Sequence, residues 1–138
     1  MARILAIDYG KKRVGLAVTD PLQLIANALT TVPTTEIWTF LEQYVACESI
    51  ARFVIGYPRN LDNKPAEAAR YVTAFVKQLQ KKFPQIPVSM EDERFTSKMA
   101  FQTMIDGGVK KMDRRNKAMV DKISAAIILQ SYLERSKH

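Results

Sequence analysis

Apolar and polar residues fall along this chain in short blocks whose spacing predicts its elements. In RILAIDY, residues 3–9, Ile4, Ala6 and Asp8 share one side of a strand and Leu5, Ile7 and Tyr9 the other. Both sides are largely apolar, as in a strand buried on both faces in the middle of a sheet. RVGLAVT, residues 13–19, repeats the pattern, and Gly10 and Gly15 bracket the turn between the two, which predicts a hairpin. NALTTVP, residues 27–33, reads as a third short strand closed by Pro33. Thr34 or Thr35 is placed to cap a helix running to about Ser49, with Ile37, Leu41, Tyr44 and Val45 on one stripe.

The second half alternates strand and helix. RFVIGYP, residues 52–58, is a short buried strand ended by Gly56 and Pro58, and RNLDNKP is a polar loop. Pro65 opens the next helix in its first turn. That helix buries Ala69, Val72, Phe75, Val76, Leu79 and Phe83 at helical spacing. IPVSMED is a further strand, TSKMAFQTMID a helix stopped by Gly107 and Gly108, and GVKKMDRRNK a basic loop. A last helix runs from about Asn116 to Arg135. Three strands, helix, strand, helix, strand, helix, helix: this order predicts an α/β mixed sheet with helices on both faces. With no internal repeat, low-complexity segment or linker, residues 1–138 are expected to form one domain.

Composition narrows the chemistry. No apolar run approaches the roughly 18 residues of a membrane span, and the N-terminus enters a strand with no signal-peptide layout. The single cysteine, Cys47, excludes an internal disulfide and any multi-cysteine metal site, so a cytoplasmic location is expected. The only histidine is His138, which leaves no histidine base, Ser-His relay or His-ligated zinc site. An enzyme here works with carboxylates, hydroxyls, lysines or bound metal. Of the formal charge of +7, residues 94–138 hold +6. A basic bias confined to one third of a chain suggests a face for a polyanion.

Carboxylates sit at three unusual places. Asp8 ends the first strand; Glu91, Asp92 and Glu93 end the last; Asp121 lies in the last helix at the angular position of Ala125, Ile128 and Tyr132. An acid on an otherwise apolar stripe faces the protein and needs a cation, hydrogen bonds or a proton. Simple ion pairs are one solution: Asp8 with Lys11 or Arg13, Glu93 with Arg94, Asp121 with Lys117 or Lys122. Clustered carboxylates with little histidine or cysteine also suit hard, oxygen-liking cations such as Mg²⁺ or Mn²⁺.

Four blocks, DYGKKRVGLAVTD, VIGYPRNLD, EDERFTS and DKISAAIILQSYL, in that order and covering essentially the whole chain, resemble the YqgF family, also called RuvX-like. These bacterial proteins are described as candidate Holliday junction resolvases and as pre-16S rRNA nucleases. The resemblance implies an RNase H-like fold: a five-stranded mixed sheet, an antiparallel meander of three strands plus two parallel strands, with helices on both faces. It further implies a metal-dependent hydrolase that cuts phosphodiester bonds in structured nucleic acid, by 5′-end processing of pre-16S rRNA, by resolution of branched DNA, or both. The expected partners are nucleic acid and ribosomal particles rather than membrane, with the chain a monomer or weak homodimer.

Carried over residue by residue, the resemblance makes Asp8, Glu93 and Asp121 the catalytic acids and the ligands of Mg²⁺ or Mn²⁺. Asp92 is the alternative ligand, because strand alternation puts it and Glu93 on opposite faces. Many relatives in the wider superfamily carry an acid at the end of the fourth strand, where this chain reads IGYPRN. Glu93 would substitute for it. For the nucleic acid, Gly10 allows close approach of the backbone to a phosphate. Lys11, Lys12 and Arg13 are placed to hold the strand being cut. Thr96 and Ser97, behind Arg94, start a helix whose free N–H groups favour anions or are plainly capped. Arg59 follows the fourth strand. Lys110, Lys111, Arg114, Arg115 and Lys117 form a basic arm for nonspecific phosphate contact. Two other readings compete. One is a phosphotransferase of the actin and sugar-kinase class, which needs two such domains. The other is an inactive nucleic-acid-binding module acting in ribosome biogenesis or DNA repair.

Overall fold

Three consecutive strands, β1 (Arg3–Tyr9), β2 (Arg13–Thr19) and β3 (Ala26–Pro33), form an antiparallel meander in the computed structural model, which describes residues 2–58, 69–92 and 117–136. β4 (Ile50–Tyr57) pairs in parallel with the other edge of β1, and β5 (Val88–Asp92) pairs in parallel with β4. The strand order is β3-β2-β1-β4-β5. β1 is therefore central, which is why Leu5, Ala6 and Ile7 are all fully buried although they point to both faces.

Helices α1 (Ile37–Cys47) and α2 (Ala69–Lys82) cover one face, where Ile37, Leu41, Val72, Phe75 and Leu79 meet Leu5, Ile7 and Phe53. α3 (Lys117–Ser136) covers the other, with Ala125, Ile128, Leu129 and Leu133 against Ile4, Ala6, Ala17 and Val54. Alternate residues of β1 thus feed two separate cores. This is the sheet that the RNase H-like resemblance implies, with helices on both faces. No helix among the described residues is long and apolar enough to cross a membrane.

Two local expectations change. Neither Thr34 nor Thr35 caps α1: the chain first makes a 3-10 turn, Thr34–Glu36, and α1 starts without a side-chain cap bond. The Thr34 hydroxyl donates instead to the Gly10 carbonyl at 2.7 Å, and its N–H to the Lys12 carbonyl at 3.0 Å. Those bonds tie the end of β3 to the β1–β2 turn. Gly15 does not bracket that turn but lies inside β2, for a reason that concerns the site.

Several expectations lie outside the described residues: the loop 59–65 with Arg59 and Pro65, Glu93, Arg94, the helix over 96–106 with Thr96 and Ser97, and the basic loop with Lys110, Lys111, Arg114 and Arg115. The side chain of Lys117 lies outside them too.

Candidate active site

The parallel strands β1, β4 and β5 point the same way, so their C-terminal ends share one edge of the sheet. Asp8 sits at that edge. It follows Ile4 and Ala6 on the face covered by α3, and its cross-strand partner on β2 is Gly15. A Cβ at Gly15 would collide with the carbonyl group of Asp121 and come within 2.9 Å of the Lys122 nitrogen. Glycine is what lets the backbone of α3 rest on β2 here. Asp8 and Asp121 are therefore both immediate neighbours of Gly15, on one face of the sheet.

Arg13, two residues before Gly15 on the same face of β2, joins them. Its Nε donates to Asp121 Oδ2 at 2.7 Å. Among the described residues the ion-pair partner of Asp121 is thus Arg13 rather than Lys122. Helix-neighbour reasoning missed it because the two residues are 108 apart in sequence.

At the end of β5 the acids separate. Glu91 is buried: its Oε2 accepts from the Ser131 hydroxyl at 2.9 Å, and its Oε1 from Arg135 Nε at 3.0 Å and Nη2 at 2.9 Å. Both donors belong to α3, so Glu91 faces α3. Strand alternation then puts Asp92 on the opposite face. On that side Val88 packs into the core beneath α1 and α2.

The β1–β2 turn is tight. A Cβ at Gly10 would lie 2.6 Å from the Arg13 carbonyl oxygen, so a side chain is excluded for the turn's own sake. Ring stacking between Tyr9 and Phe75 of α2, with centroids 4.3 Å apart, fixes the strand end. Two residues on, the Lys11 ammonium lies 4.4 Å from the ring centroid of Tyr71, one helical turn before Phe75. Arg70 Nη2 donates to the Tyr71 hydroxyl at 3.0 Å, and its Cζ is 4.9 Å from the ring centroid. Lys11, then Arg70, hold the Tyr71 phenol below its usual pKa. Lys12 is exposed beside them.

Of the expected site residues, the structure brings Asp8, Gly10, Lys11, Lys12, Arg13 and Asp121 to one edge. No group of three or more His, Cys, Asp or Glu gathers there among the described residues. Sequence reasoning did not single out Arg70 and Tyr71. Their one signal is that Tyr71 lies four residues before Phe75, on its side of α2.

A family model described as RuvX, Holliday junction resolvase, matches residues 2–135. A protein of Phocaeicola vulgatus named as a candidate pre-16S rRNA nuclease is 59% identical over all of this chain and 99% of its own length. One of Porphyromonas gingivalis with the same name is 54% identical, over 97% of each chain. Among solved structures, Thermus thermophilus RuvC, determined in complex with a Holliday junction substrate, superposes with a TM-score of 0.54 at 15% identity. That alignment covers 99% of this chain and 96% of RuvC, and it shows a shared fold. With the sheet order, the paired acids beside Gly15 and a match spanning nearly every residue, the chain belongs to the RuvX family.

Proposed function

We propose that this protein is a metal-dependent nuclease that hydrolyses phosphodiester bonds in structured nucleic acid. The observation that carries the reading is the placement of Asp8 and Asp121 on either side of Gly15, on one face of the sheet and at the edge where the parallel strands end. In open α/β sheets that edge is the usual place for a ligand. The donor set is oxygen-only, which fits Mg²⁺ or Mn²⁺ and excludes a thiolate or imidazole site. Asp8 and Asp121 would hold the cation with Glu93. Because Asp92 points away from α3, Glu93 is favoured over it as the third ligand. Bound divalent cation supplies a nucleophilic water at neutral pH and charge stabilisation at the phosphate.

The chain's own groups orient the substrate. Lys11 and Lys12 stand beside the turn to receive backbone phosphates, and Arg13 fixes the Asp121 carboxylate in place. The names of close relatives favour a pre-16S rRNA substrate. The family description favours a second reading, cleavage of a Holliday junction. Purified protein is to be offered a precursor 16S rRNA fragment and a four-way DNA junction, each with Mg²⁺ and with Mn²⁺. Asp8→Asn keeps the side chain's shape and removes its charge, so it should abolish cleavage and leave the melting temperature near wild type. Wild-type cleavage rates in Asp8→Asn would overturn the mechanism. Cleavage of only one substrate decides between the two readings.

A further inference from the structure

Lys11 and Arg70 come from different elements and gather on a single aromatic ring. Lys11 Nζ lies 4.4 Å and Arg70 Cζ 4.9 Å from the Tyr71 centroid. Both also act on the Tyr71 hydroxyl, to which Arg70 Nη2 donates at 3.0 Å, so cations from two elements converge at one point. The arrangement is built rather than incidental. Tyr9 stacks on the buried Phe75. Lys11 follows Tyr9 by two residues, and Tyr71 precedes Phe75 by one helical turn, so one stack sets the other contact. Thr34 holds the intervening turn at Gly10 and Lys12.

We propose that Lys11, Arg70 and Tyr71 form a seat for one backbone phosphate of the bound nucleic acid, beside the position that is cut. A phosphate at that point would accept a charge-assisted hydrogen bond from each cation. The phenol reports the local field: the potential that favours its ionised form also favours a phosphate oxygen. Tyr9 and Asp8 point to opposite faces of β1, so the seat lies on the α2 side of the edge, which also carries Asp92, and Asp8 and Asp121 on the α3 side. A strand crossing that edge meets both. This rests on the nuclease reading for the identity of the ligand, but it can be tested without cleavage.

Binding of a labelled, short single-stranded oligoribonucleotide is measured in EDTA by fluorescence anisotropy over a range of salt. For the double variant Lys11→Gln/Arg70→Gln, the slope of log K against log salt should fall by about 0.7, the value for one neutralised phosphate on a single strand. Tyr71→Leu changes no charge at neutral pH yet should weaken binding several-fold, and Tyr71→Phe, which keeps the ring, should weaken it less. Thermal melts check that each variant is folded. An unchanged slope, or Tyr71→Leu binding like wild type, overturns the seat, as does a fall of about 1.4, which would mean two separate phosphates. In a second arm, the Tyr71 phenol titration, identified by its absence in Tyr71→Phe, should move back up when oligonucleotide binds. If inorganic phosphate at the same phosphate concentration moves it as far, the seat takes free anion and the backbone assignment fails. A chain that binds in this way but does not cut overturns the nuclease reading and leaves the seat standing.

Discussion

A methyl group on Gly15 would run into the backbone of α3 at Asp121, so the site depends on a residue with no side chain at all. Gly15→Ala forces α3 off β2 and should cost roughly 1–3 kcal/mol, the range for overpacking, with cleavage lost as Asp121 moves. An unchanged melting temperature would mean that α3 does not rest there. Asp121 itself is coupled to Arg13. Repulsion among acids alone would make Asp121→Asn stabilising in the absence of metal. The Arg13 guanidinium removes that expectation by supplying the opposing charge. The pair is partly solvated, with side-chain exposures of 37% for Arg13 and 23% for Asp121, so its contribution is about 0–1 kcal/mol. Asp121→Asn should therefore lower metal-free stability by no more than about 1 kcal/mol, and Mg²⁺ should raise its melting temperature less than that of wild type. A wild-type response to Mg²⁺ would remove Asp121 from the ligand set.

At the scale of elements, α3 decides most of the geometry. Its start rests on β2 at Gly15, and its last turns reach β5, where Ser131 and Arg135 bind Glu91. Glu91 is the buried partner, its side chain 8% exposed against 60% for Arg135. Glu91→Ala leaves that end of α3 without its anchor and should cost roughly 1.5–3 kcal/mol, the value of hydrogen bonds to a charged group. Chemical denaturation measures it, and cleavage should fall as well, because the helix that carries Asp121 loses its fixed tilt. A loss no larger than that of Ser131→Ala would show that the charge at Glu91 is not what holds α3. Such long-range pairs mark the limit of what the sequence made legible. The stripe of Asp121, Ala125 and Ile128 follows from helical periodicity, and the two-faced apolar pattern of β1 announces a central strand. The partners of Glu91 and Asp121 depend instead on where α3 crosses the sheet, which no local pattern encodes. Thr34 fits a cap motif by residue type, but the nearby Gly10 carbonyl takes its hydroxyl.

For the whole molecule, charge placement sets how the substrate is approached. The described cations Lys11, Lys12, Arg13 and Arg70 gather at the edge that carries Asp8, while +6 of the net +7 belongs to residues 94–138. The two sets play different parts. Lys11 and Arg70 are held by a ring and a pinned turn, and in the proposed seat they would meet a phosphate at a fixed place. Lys110, Lys111, Arg114 and Arg115 fall within a short run that contains only one acid, Asp113. Cations in such a run supply attraction that is blind to sequence and screened by salt. Neutralising these four should therefore weaken binding to unrelated sequences by similar factors. It should also reduce the slope of log K against log salt by roughly 0.7–0.9 for each phosphate that the run no longer neutralises. Cleavage at saturating substrate should change little, because the groups that hold the scissile phosphate are intact. An unchanged slope would make the run a solvated surface. A selective loss for one sequence would mean that it reads bases rather than backbone.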